Sequence, residues 1–211
     1  RWWNVEALLG YPRNAPISFP AAPSSIRASL EHSTSQLCIR APADFGTRRC
    51  STRNKRAVNL TAAVAEIREA MERLEPEPEH TAHVAHLALR LFDELSPLHG
   101  LDAEARVILE GAACLHDIGW PVSKRGVGHH KHSARLIRQQ PWKNLTPREV
   151  DLMAQVARYH RRALPCSEHT DFHALDKPRQ AMVRSLAALL RLADAFDRSH
   201  LQFVRDLKVR I

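Results

Sequence analysis

Twelve of the thirteen histidines lie between positions 80 and 200, and their spacing against apolar neighbours bears on what they can do. His80 sits four, seven and eleven residues before Val84, Leu87 and Leu91, so it continues the apolar stripe of one helical segment. His116 lies on the stripe of Ile108, Leu109 and Ala112 and is followed directly by Asp117. His160 follows Met153, Val156 and Ala157 at helical spacing, and Asp194 shares a face with Val183, Leu186, Ala187 and Leu190. His86 falls instead on the polar side with Arg90 and Asp93, and His83 is intermediate. Four amphipathic segments thus each turn a His or Asp inward, mostly near a helix end. Each of these groups alone reads as a satisfied core residue. Burying four unpaired would cost several kcal/mol apiece. Together, with one adjacent His-Asp pair, they read as a metal cluster, because a divalent cation takes neutral imidazole and carboxylate from different elements. The donor set suits one or two ions of Mn, Fe, Mg or Zn and does not choose among them.

The elements that must carry these residues begin near Val58. Segment one runs over 58–74 and stops before Pro76 and Pro78; segment two covers 79–95 and ends at Ser96-Pro97. Segment three, 102–118, is opened by Asp102 as N-cap and closed by Gly119. A loop with Gly126 and Gly128 leads into a short helix near 130–139. Thr146-Pro147-Arg148-Glu149 combines an N-cap, a proline at the first helical position and a Glu three residues after the cap, so a helix starts at 147 and reaches about 161. The last long helix covers 176–198. Leu207, Val209 and Ile211 then alternate with charged residues like a strand, as if a β element began at 201–211.

The composition adds exclusions. The chain has 211 residues and a formal net charge of +8, which would suit a nucleic-acid partner if it were spread over the fold. Residues 1–56, however, hold 9 basic and 3 acidic side chains, leaving a net of only +2 for 57–211. That first stretch, with prolines at 12, 16, 20, 23 and 42 and no sustained period, reads as a disordered or loosely attached basic segment. It shows no interleaved aromatic platform, so no specific nucleic acid is expected. No apolar run approaches the roughly 20 residues that span a bilayer, so no membrane partner is expected. Cys38, Cys50, Cys114 and Cys166 form no C-x-x-C pair, which makes a reducing cytoplasm the simplest compartment. The first methionine is Met71, so the chain reads as a fragment or as one with an unusual start.

Leu115-His116-Asp117-Ile118-Gly119, with His80 upstream and Asp194 downstream, resembles the HD superfamily of metal-dependent phosphohydrolases. "EPEHTAHVAHLALRLFDEL", "LHGL", "AACLHDIGW", "HHKHSARLI", "VARYHRRALP" and "LAALLRLADAFDRSH" together resemble the C-terminal HD domain of the exopolyphosphatase/guanosine-pentaphosphate phosphatase (Ppx/GppA) family, over about 58–211. The resemblance implies an all-α fold, an HD-domain helical bundle over 57–200. It also implies His80, His116, Asp117 and Asp194 as ligands of a first metal. His132 and His160 match the positions that hold a second metal in dinuclear HD enzymes. His129 and His130 compete with His132, which is favoured because it opens the short helix with Ser133 and Ala134 behind it.

That ligand set implies hydrolysis of a phosphoester or phosphoanhydride, in a nucleotide or polyphosphate, by metal-activated water. Asp117 would bridge two ions. Lys131, Arg161 and Arg198 flank the ligand positions and could neutralise phosphate oxygens, although each also suits an ordinary solvated surface. Asp197, one turn beyond Asp194, is expected to pair with an arginine rather than to ligate. The reading admits a homodimer. Relatives that cleave polyphosphate do so in actin-like lobes with Gly-rich phosphate loops; residues 1–56 hold only Gly10 and Gly46, so that activity does not transfer with the HD domain. The alternative is a non-catalytic regulatory or polyphosphate-binding HD module. A Gly-Tyr-Pro signature is absent after His160, so a cyclic-dinucleotide phosphodiesterase is not indicated.

Overall fold

A computed structural model describes residues 47–209, with side chains from residue 59. Contacts divide the chain into Arg1–Arg53 and Asn54–Ile211, and the second unit carries every side chain described below. The basic segment expected over 1–56 lies, up to residue 46, outside the described residues; from Thr47 the backbone is already helical.

The described fold is all-α. Helix α1 spans Thr47–Leu74 and ends before Pro76, as the sequence requires. Helix α2, Pro78–Glu94, starts with its proline in the first turn and buries His80, Val84, Leu87, Ala88 and Leu91 along one stripe. The single turn α3, Ser96–His99, closes on Gly100 in the left-handed conformation. Helix α4, Ala103–Cys114, is capped by the Asp102 side chain, which accepts from the Ala105 N–H. It is buried on nearly every side from Val107 onward, because α2, α6 and α8 all pack on it. Helix α5, His129–Gln139, pairs with α6, Pro147–Arg158, whose start is the expected Thr146/Glu149 capping box. The turn α7, Thr170–His173, precedes α8, Lys177–Phe196, capped by Asp176. Gly111 lets α4 approach its neighbours closely: a Cβ there would come within 2.2 Å of Met153 Sδ and 3.0 Å of Ile67 Cδ1.

Two expectations need correction. Helix α4 ends at Cys114 rather than near 118, so His116 and Asp117 lie on a run of turns. The expected C-terminal strand does not form: the described residues contain no strand, only an isolated bridge between Lys124 and Val127. A strand needs a backbone partner. The tail lies instead against side chains of α2, with His83 Nε2 2.9 Å from the Val204 carbonyl and Arg90 donating to Asp206 and to the Leu207 carbonyl.

Candidate metal centre

The six ligand-type side chains converge from α2, from the turn after α4, from the start of α5, from the end of α6 and from the last turn of α8. They form two abutting groups. In the first, His80 Nε2 and His116 Nε2 lie 3.8 and 3.9 Å from Asp194 Oδ1. In the second, His129 Nε2 and His160 Nε2 lie 3.1 and 3.7 Å from Asp117 Oδ1, and 3.3 Å from each other. Asp117 joins the two, since its other oxygen is 3.8 Å from His116 Nε2.

The position expected for His132 is occupied by His129. His132 is half-exposed and belongs to neither group, and its Cβ is packed towards the backbone at Gly119. His129 is the first residue of α5, is 1% exposed and turns into the site. His130 is also buried, but its ring stands edge-on to those of His129 and His160, outside both groups.

What aims the imidazoles is the hydrogen bonding of their other nitrogen. Nδ1 of His116, His129 and His160 faces the carbonyls of Ala113, Gly126 and Ala157 at 2.7, 2.8 and 2.7 Å. A carbonyl can only accept, so each Nδ1 carries the proton and each Nε2 presents a lone pair to the centre. His80 is set the same way by Asp197, whose Oδ2 is 2.9 Å from Nδ1. Asp197 therefore pairs with a histidine and not with an arginine, and its second oxygen accepts from the Gln202 N–H. Carboxylate and carbonyl partners of this kind fix the tautomer of a metal-ligating imidazole.

The electrostatics favour neutral His80 and His160 and an ionised Asp117. Burial lowers the pKa of His80, and lowers that of His160 well below its ordinary value. For Asp117 burial pushes upward, but positive charge on the surrounding His129, His116 and His160 outweighs it and holds the carboxyl well below the usual range; a bound cation would act in the same direction. His80 Nε2, His116 Nε2 and Asp117 Oδ1 are all buried without a hydrogen-bond partner. Orphaned acceptors in both abutting groups, two nitrogens in the first and a carboxylate oxygen in the second, are costly unless cations satisfy them, so the residues fit divalent metal.

Around the groups, Arg161 Nη1 approaches His129 Nε2 to 3.4 Å, whereas Lys131 and Arg198 point to solvent. Burial and the charges of His129, Lys131 and Arg161 together push His130 down to about 4. A cleft of about 270 Å³ opens onto His80 and Asp117 and is lined by neither Lys131 nor Arg161. Glu75 went unnoticed in the sequence. It is buried at the end of α1, and its Oε1 accepts from the Asp117 N–H at 3.2 Å. Burial and the nearby Asp117 push its carboxyl up to about 9. Only its place beside Pro76, at the end of a helical pattern, hinted at a role.

No helix among the described residues is long and apolar enough to cross a membrane. A search of curated proteins finds no match. The family model of the Ppx/GppA phosphatase, domain III, matches residues 64–210, which takes in every helix of the site. With more than half its length matched, the chain belongs to the Ppx/GppA phosphatase domain III family.

Proposed function

We propose that this chain is an HD-type metal-dependent phosphohydrolase, with one ion held by His80, His116, Asp194 and Asp117 and a second by Asp117, His129 and His160. The observation that carries this reading is the pair of abutting ligand groups with Asp117 beside both, in which a bond at Nδ1 turns each imidazole Nε2 inward and leaves those of His80 and His116 without a partner. A divalent ion bound there supplies a nucleophile at neutral pH by lowering the pKa of a water. In the overall reaction water adds to phosphorus, the ester P–O bond breaks, and the alcohol leaves with a proton that came from the water. The chain's own residues orient the substrate: Asp117 keeps the two groups together, and Arg161, beside His129, is set to neutralise a phosphate oxygen. Lys131, exposed on α5, supports this only from a distance.

Metal analysis tests the assignment. Wild type is expected to retain divalent metal that Asp117→Ala and His129→Ala lose in part or whole, while His132→Ala keeps it. Equal metal content in wild type and Asp117→Ala would remove the basis of the reading. A panel of phosphoesters with Mn, Fe, Mg or Zn supplied then asks for turnover.

The membership in a domain of a larger phosphatase family favours a second reading, a non-catalytic polyphosphate-binding or regulatory module. Binding of polyphosphate that is unchanged by His116→Ala, with no hydrolysis, would select it. Cys114 and Cys166, the cysteines whose side chains are described, are free, in keeping with a reducing cytoplasm.

A further inference from the structure

The cleft beside the two ligand groups has its own chemistry. It touches one ligand from each group, His80 and Asp117, and its remaining lining includes Trp120, Pro121, Pro76, Glu77 and His200. Trp120 stacks on His129, with ring centroids 5.5 Å apart and planes 8° from parallel. Gly126 is pressed against the indole: a Cβ there would fall 2.3 Å from a ring carbon. The indole is thus fixed from the protein side, yet 41% exposed, and it lines the open cleft. His200 covers the other group in the same manner, stacked on His80 at 3.8 Å and 4°. Two flat rings, Trp120 and His200, therefore line the cleft together with Asp117.

The charges lining the cleft are as informative as the rings. None of the residues lining it is Lys or Arg; the ionisable groups outside the ligand set are Glu77 and His200, which pair with each other at 2.5 Å. A polyphosphate chain carries about one negative charge on every phosphate, and its recognition calls for rows of cationic donors. Here it would meet no Lys or Arg, and the one imidazole outside the ligand set is already paired with Glu77. A phosphomonoester presents its charge only at the metal end and leaves an uncharged body for the rings.

Building on the phosphohydrolase reading, we infer that this cleft takes a phosphomonoester whose body is a flat aromatic ring system, stacked on Trp120, and disfavours polyphosphate. Stacking on an aromatic side chain holds any planar ring with little demand on its edges. Trp120 sets specificity, and Glu77, by engaging His200, withholds the cleft's one further cationic partner from a second phosphate.

Calorimetric titration of the full chain with Mn²⁺ supplied tests this, with adenosine 5′-monophosphate, ribose 5-phosphate and tripolyphosphate as probes. The adenosine ester is expected to bind tightest. Trp120→Ala should weaken it by about tenfold or more while leaving ribose 5-phosphate unchanged. Trp120→Phe, which keeps a platform, should restore most of the loss and guards against a folding defect. Glu77→Gln should raise tripolyphosphate affinity and barely move that of the adenosine ester. The inference is overturned if tripolyphosphate binds more tightly than the adenosine ester, if Trp120→Ala weakens all three probes equally, or if the adenosine ester does not bind. Turnover of ribose 5-phosphate and adenosine 5′-monophosphate with equal specificity would leave the phosphohydrolase reading standing and remove this one.

Discussion

Four site histidines each commit Nδ1 to an acceptor, and this sets which atom faces the centre. For three of them the acceptor is a carbonyl of the chain three residues earlier, which no side-chain substitution can remove. Only His80 depends on a side chain, the fully buried Asp197. Asp197→Asn would put an amide against Nδ1 while the Gln202 N–H still needs an acceptor, so the ring would no longer be held in one tautomer. We expect metal affinity to fall about 10- to 100-fold, the usual range for losing such a partner. Competition with a chelating dye would measure it, and an unchanged affinity would show that Asp197 is merely a buried partner. The same scale shows where spacing could and could not be read. His80, His116, His160 and Asp194 stood out because each continues an apolar stripe. His129 did not, because three histidines fall within four residues there and the facing one depends on where the helix starts. Gly128, at φ +75°, starts α5 one residue earlier than the sequence indicates, and each residue turns a side chain by about 100°.

Among the elements, the turn after α4 is the part that makes the site. Helical periodicity suggested a helix through residue 118, yet the Asp117 N–H donates to Glu75 Oε1, and the Trp120 N–H returns to the Asp117 carbonyl. A side-chain acceptor from a distant helix takes the backbone donor that a continuing helix would use, and local periodicity carries no trace of it. The strand expected at the C-terminus failed for a related reason, since alternation sets a pleat but provides no partner strand. Gly119 then brings this turn onto α5: a Cβ would lie 2.3 Å from the His129 carbonyl oxygen and 2.5 Å from the Ser133 nitrogen. Both are backbone atoms, so the segments would have to part. They would also strain the bond from the Gly119 N–H to Ser133 Oγ, 2.9 Å long. Gly119→Ala should therefore cost about 1–3 kcal/mol by overpacking and separate Asp117 from His129. Thermal melts beside metal analysis would test both parts. A variant of normal stability with full metal content would mean that the turn is not held as closely as these distances require.

At the scale of the whole molecule, the charge that dominates the composition and the charge that governs stability are different things. Three quarters of the net +8 belongs to residues 1–56, whereas the helical unit, near neutral overall, carries its electrostatic cost in a few buried groups. Without metal those groups act in opposite directions. Burial lowers His80, His160 and His130, the last to about 4, so below pH 6.5 the unfolded chain takes up protons that the folded one refuses. Their contribution is present above pH 6.5 and is lost as pH falls towards 4. Burial raises Glu75 from 4.5 to about 9, so the folded chain keeps a proton that the unfolded one releases. Its contribution is complete below 4.5 and is lost as pH rises towards 9, about 3 kcal/mol of it by pH 7 at 1.36 kcal/mol per unit. Three histidines outweigh one glutamate on the acid side, and the glutamate acts alone among them on the alkaline side. Chelator-treated protein should therefore melt highest near pH 6–7 and lose stability in both directions. Glu75→Gln keeps an acceptor for the Asp117 N–H but cannot ionise, so it should flatten the alkaline limb and leave the acid limb in place. Melting curves of both proteins from pH 5 to 9, with chelator present, would decide it. Parallel alkaline decline in the two would mean that Glu75 is not the group that titrates.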